Sequence, residues 1–148
     1  MPNSAAAIKR HRYTATFGSV VIAPLAGAPE IRTDRRVVES TVCERGGGER
    51  VVSHLVKDCA TVTVKTKDIA TALTLLSGFS LGDDIMAEER KFPLAFTALA
   101  ENEKDLVFPA AYLQPDASYI PAAGRDHVAV LVFKAFPGGE RGKLFVFA

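Results

Sequence analysis

Thr61-Val62-Thr63-Val64-Lys65-Thr66 is a run of strict alternation built mainly from β-branched residues, and it sets the fold class. Such side chains are stiff at χ1 and pack well on a pleated surface, so Val62 and Val64 fall on one face of a strand and the threonines on the other. Directly after it the period changes. Ile69, Leu73 and Leu76 recur at i, i+4 and i+7, with Ala72 and Leu75 flanking the stripe, which predicts an amphipathic helix over 67–77. Thr66 stands where an N-cap is needed, Asp68 where the dipole favours an anion, and Gly78 where a left-handed stop fits.

Outward from this pair of elements the chain reads as strands. Upstream, Tyr13, Ala15 and Phe17 alternate with threonines, Gly18-Ser19 marks a turn or bulge, and Val20–Ile22 resumes extended structure. Pro24–Glu30 reads as a loop, 35–42 as an extended segment with a solvated face, and 50–57 as another, with Arg45–Arg50 (RGGGER) too glycine-rich to continue a strand between them. Downstream, 92–100 and 106–113 flank the polar turn ENEKD and predict a hairpin. Residues 116–126 read as a loop, and 127–136 with 143–147 flank PGGERG as a second hairpin. The expected fold is mostly β (α+β): an antiparallel β-sandwich or barrel of roughly seven to eight strands with one flanking helix at about 67–77. It is expected as a single domain over 1–148, with a flexible N-terminal arm at 1–10 and an extended loop or hairpin at 32–57.

Composition excludes several classes. The chain has 148 residues, 48% hydrophobic, with 18 Lys+Arg against 17 Asp+Glu and no Trp. That is enough apolar content to build a core and too little net charge for intrinsic disorder or a dedicated nucleic-acid binder. No apolar run approaches the ~20 residues a membrane-spanning helix needs, so no membrane partner is expected. Lys9, Arg10 and Arg12 are not followed by an apolar stretch, so no secretory signal is expected, and two cysteines do not make a disulfide framework. Residues 1–66 carry 10 basic and 6 acidic side chains and residues 67–148 carry 8 and 11, a split of +4 against −3. That asymmetry hints at oppositely charged faces.

The chemistry-bearing residues form no recognisable site. There is no GxxxxGK[ST], and Gly46-Gly47-Gly48 lies between two extended segments without G-x-G-x-x-G spacing, so no nucleotide cofactor is expected. Cys43, His54 and Cys59 have the spacing Cys-x10-His-x4-Cys, which matches no closed zinc pattern; His11, His127 or a carboxylate would have to complete it. His54 as base for Cys59 fails on a regular strand, because residues five apart point to opposite faces unless the chain bends. Asp83-Asp84 and Glu88-Glu89 read as a charged, solvated connection rather than an acid/base pair. Asp126-His127 has no nucleophile beside it, and Arg35 and Arg36 lack the aromatic interleaving of nucleic-acid readout. No catalytic residue, metal or cofactor is expected.

Residues from about 50 to the C-terminus run as a Thr/Val strand, a helix opening Lys67-Asp68-Ile69, a glycine stop, the phrase VFPAAYLQP and the close DHVAVLVFKAF…GKLFVF. This order resembles the tail tube proteins of long-tailed bacteriophages and related injection machines, whose "fPnavl-p" strand and closing hairpin these phrases are similar to. The resemblance implies a structural, non-enzymatic virion protein that self-assembles into stacked hexameric rings, a tail tube conducting DNA through its lumen without specific binding. Partners implied are further copies of the chain and sheath, terminator or baseplate proteins, with assembly in the host cytoplasm. The fold extends to terminators, baseplate hubs and type VI secretion tubes, so another ring-forming tail component or a capsid-associated protein stays open, as does a small-molecule-binding barrel or enzyme. In that family an extended loop reaches the next ring, and by position 32–57 serves here; the inter-subunit candidates are Arg35, Arg36, Glu44, Arg45, Gly46, Gly47, Gly48, Glu49 and Arg50. The arm at 1–12 is a second candidate. The uncharged runs 128–133 and 144–147 read as edge strands for pairing with neighbours. The +4/−3 split suits head-to-tail contact, which predicts that stacking weakens as ionic strength rises.

Overall fold

The computed structural model describes residues 13–23, 25, 27–98, 104–116, 118–120, 128–138 and 142–147. Nine strands and one helix are placed among them: β1 (Tyr13–Phe17), β2 (Val20–Ile22), β3 (Glu30–Cys43), β4 (Glu49–Thr66), α1 (Ile69–Leu76), β5 (Phe92–Ala98), β6 (Leu106–Leu113), β7 (Ser118–Ile120), β8 (Val128–Phe136) and β9 (Val146–Phe147). A 3-10 turn at Glu88–Arg90 precedes β5. The expected arm at 1–10, and His11, Asp126 and His127, lie outside the described residues.

All strands join one antiparallel sheet in the order β2-β1-β5-β6-β8-β4-β3, with β7 on β8 and β9 on β6. The alternation that identified 61–66 as a strand now has a partner for each rung: Val62 faces Phe133 and Val64 faces Leu131 across the β4–β8 ladder. Ala60, Val62 and Val64 are buried on β4, and Ala129, Leu131, Phe133 and Ala135 on β8. The sheet curls until its ends meet. Phe17 on β1 stacks against Phe133, three strands away in the order, with ring centroids 4.9 Å apart. Just past β2, Leu25 makes an isolated bridge to Thr66 at the end of β4, joining the β2 side of the sheet to β4. Burial of one face of β1, β5, β8 and the inner part of β4 drives this curling, because a twisted sheet with one apolar face removes it from water by rolling it inward.

Helix α1 covers this barrel. Its boundary differs from the expected one: Asp68, not Thr66, is the N-cap, its carboxylate accepting from Thr71 N at 3.3 Å and from the Thr71 hydroxyl at 2.6 Å. Thr66 Oγ1 instead accepts from Asp68 N at 3.0 Å, one step earlier. Ala72 is buried and Ile69, Leu75, Leu76 and Phe79 pack on the core, whereas Leu73 is 45% exposed, so the apolar stripe runs one residue off the expected line. Gly78 is not left-handed. The helix ends at Ser77 in αR geometry, and Arg90 Nη2 donates to the Gly78 carbonyl at 3.3 Å. Arg90 also pairs with Asp83 at 2.8 Å and lies over the Phe79 ring at 4.8 Å, which organises the acidic connection. Asp83 therefore stands in a different environment from Asp84, whose carboxylate accepts from Met86 N at 3.1 Å.

Three expectations about strand placement are corrected. The segments 50–57 and 61–66 are one 18-residue strand, β4. Within the expected loop 116–126, Ser118–Ile120 forms β7 and pairs with Val128–Val130. The C-terminal segment does not form a hairpin ladder with β8: β9 pairs with Leu106 and Val107 of β6, leaving only a Gly138–Lys143 bridge between the closing segments. β8 has no free edge to give, since β4 occupies one side and β6 and β7 the other. It is the central strand of the sheet rather than an edge strand, which is why its low charge is tolerated. A Cβ at Gly138 would stand 2.9 Å from Ala110 Cβ. Gly138→Ala is expected to destabilise by about 1–3 kcal/mol, read as a lower urea midpoint with an unchanged m-value.

Candidate assembly interface

β3 and β4 make a long antiparallel hairpin whose two halves behave differently. From Ala60 to Thr66, β4 is held by β8. From Glu49 to Cys59 it pairs, among the described residues, only with β3, so the outer hairpin is a two-stranded ribbon. At about 3.3 Å per residue this ribbon reaches roughly 30 Å from the barrel. The tip is a turn over Glu44–Gly48, in which Glu44 N donates to Gly48 O at 2.6 Å. Gly46 and Gly47 sit at φ 100° and 90°, a region costly for other residues, and this explains the glycines. A β-bulge interrupts the ladder: Arg36 pairs with Lys57 and Val37 with Leu55, leaving Val56 as the extra residue.

The ribbon's charges largely neutralise one another. Residues 30–59 carry six basic and six acidic side chains. Arg35 pairs with Asp58 and Lys57 with Asp34, both at 2.7 Å, Arg50 with Glu44 at 3.3 Å, and Arg32 with Glu30 at 4.0 Å. The +4 of the first 66 residues therefore resides in Lys9, Arg10, Arg12 and Lys65, not in the ribbon. The hydrogen bond Lys57 donates to Asp34, together with the carboxylate's charge, holds its ammonium above the ordinary 10.5. Whatever this pair contributes is complete below pH 10.5 and is lost as pH rises through the raised folded value. Asp34→Asn is expected to lower the Lys57 titration midpoint, measured by NMR of its Nζ; an unmoved midpoint would refute the pairing.

What the ribbon offers is apolar, and on both faces. Pairing and the two-residue period put Val37, Leu55 and Val51 on one face, and Val38, Val52 and Val42 on the other. Val37, Leu55 and Val51 are 57%, 52% and 63% exposed. An isolated two-stranded ribbon is marginal in water, so apolar residues on both its faces mark a segment that needs a covering partner.

The sequence-derived candidates fall into two groups. Arg35 and Arg36 lie at the ribbon's base, and Glu44, Arg45, Gly46, Gly47, Gly48, Glu49 and Arg50 at its tip. The valines between were not singled out. The signal was present as the doublets Val37-Val38, Val51-Val52 and Leu55-Val56, because neighbouring apolar residues on a strand point to opposite faces. Cys43 opposes Glu49 near the tip, while Cys59 lies near the base, where its thiol donates to Asp34 O at 3.6 Å. The bulge places His54 and Cys59 on one face after all, but five residues along a strand are about 16 Å, beyond hydrogen-bond reach. Among the described residues no cluster of metal-ligating side chains occurs.

No protein-family model and no curated protein matches the sequence. Solved structures do match. A chain of the anti-feeding prophage cap (AFP tube terminating cap) superposes with TM-score 0.56 at 9% identity, covering 93% of this chain and 87% of that one. A chain of the PVC sheath-tube complex, an extracellular contractile injection system in its extended state, gives 0.55 at 9% identity, covering 100% and 98%. A chain of the PVC sheath/tube terminator gives 0.55 at 9% identity, covering 100% and 97%. The protein has a tail-tube-like fold.

Proposed function

We propose that this chain is a non-enzymatic structural subunit of a phage-type tail, which self-assembles into stacked hexameric rings and forms the tube through which DNA passes. The observation that carries the reading is the β3–β4 ribbon, with exposed apolar side chains on both faces and no strand but its own partner beside it among the described residues. A second copy is the natural cover, since rings are built by heterologous contacts in which one patch meets a different patch on the next subunit. The tail-tube-like fold supports it. Sheath, terminator or baseplate proteins would complete the assembly, and the virion tail is its location.

A second reading is a terminating ring, favoured by neighbours of equal similarity from a tube cap and a terminator. Negative-stain electron microscopy over a concentration series separates the two. Tubes with a central channel and sixfold image classes support the tube subunit, single rings that do not stack support the terminator, and a uniformly monomeric sample overturns both. Any weakening of assembly with added salt should trace to Lys9, Arg10 and Arg12, because the ribbon's own charges are mostly paired. Glutamine at those three positions should remove the salt dependence.

A further inference from the structure

We propose that the Val56 bulge, anchored from below by Arg35, aims the ribbon: it sets the direction in which the apolar faces leave the barrel, and so which surface of a second copy they meet. This rests on the assembly reading above.

The last regular rungs before the bulge are stapled on both faces. On one face Arg35 Nε donates to Asp58 Oδ1 at 2.7 Å, and the guanidinium stands 5.7 Å from the centre of the Phe145 ring. Phe145 in turn lies 6.1 Å from the fully buried Phe108, and its neighbour Leu144 is in the core. On the other face Lys57 Nζ donates to Asp34 Oδ2 at 2.7 Å. The hairpin's base is thereby fixed to the barrel by the C-terminal segment, a contact distant in sequence from the ribbon it steadies.

The bulge follows at the next step, where β3 is the only strand paired with β4 among the described residues. A bulge bends a strand and increases its local twist. Placed here it leaves barrel packing untouched, and its consequence is the position of the tip. Over a lever of roughly 25 Å, a bend of about 20° displaces the tip by about 9 Å, close to two strand spacings. That is enough to exchange one docking surface for another.

Deleting Val56 isolates this effect, because Arg36–Lys57 and Val37–Leu55 become consecutive rungs with the same side chains on the same faces. Nitroxides on the native Cys43 near the tip and on Leu81→Cys, in a Cys59→Ser background, report the tip position by pulsed electron paramagnetic resonance in dilute monomer. The deletion should shift this distance by about 5–10 Å. By sedimentation velocity it should raise the assembly threshold at least about tenfold, while Val56→Thr, which keeps the bulge, stays within about threefold. An unshifted distance overturns the aiming role, and so does a shifted distance with an unchanged threshold. A parent chain that never assembles overturns the assembly reading and the docking half of this one, while the distance still decides whether the bulge sets the tip.

Discussion

Val37→Lys combined with Leu55→Glu leaves the barrel folded and abolishes self-assembly. The two side chains are directly opposed in the β3–β4 ladder and about half exposed. An opposite-charge pair at that rung supports the hairpin, so the ribbon should persist. What disappears is the apolar surface available to a covering subunit. Burying an aliphatic side chain completely is worth about 1.5–3 kcal/mol, and these two have about half of that left to gain, so losing both removes about 1.5–3 kcal/mol per contact, or about ten- to a hundredfold in the association constant. Desolvating two new charges adds to the loss. The monomer should melt within about 0.5 kcal/mol of the parent, because the site is on the surface. Sedimentation velocity and thermal melts on the same samples provide the check: assembly at parental concentrations overturns the ribbon as the contact.

Phe133→Ala is expected to have the largest effect on folding itself. Phe133 is fully buried on the central strand, opposes Val62 across the ladder and stacks on Phe17 at 4.9 Å from the far side of the curl. Its removal leaves a cavity where the two sides of the barrel meet and is expected to cost about 3–5 kcal/mol. A domain of this size has about 5–15 kcal/mol in all. The urea midpoint should fall accordingly, with Leu73→Ala as a control that costs much less, since Leu73 lies on the outer side of α1. Equal effects of the two substitutions would contradict the curled sheet.

Much of the fold was legible because its signals are local. The alternation at 61–66, the helical stripe from Ile69, the β5–β6 hairpin and the glycine turn at 46–48 each depend on a handful of neighbouring residues, and each recurs in the structure. The helix cap moved from Thr66 to Asp68 because both residues carry capping oxygens, and the backbone path into α1 selects between them. Glycines and charges drew attention to 32–57, where the described structure shows Arg35, Lys57 and Arg50 in ion pairs within the ribbon and Val37, Val38, Val51, Leu55 and Val56 exposed.

What the sequence determined by itself is where the alternating strands and the helix form and which face of each alternating run turns inward, since a two-residue or 3.6-residue period is written in the side chains. Tertiary structure alone decided the pairings between strands that are not sequence neighbours. β8 became central, β9 went to β6, and Leu25 met Thr66 to tie the β2 side of the sheet to β4. It also decided that 50–57 and 61–66 would be one strand, with only the inner part held by the barrel and a single extra residue at the junction. A strand's period carries no record of which edge it will meet. That choice belongs to the whole apolar surface, which reaches its smallest exposed area only when every edge has been placed.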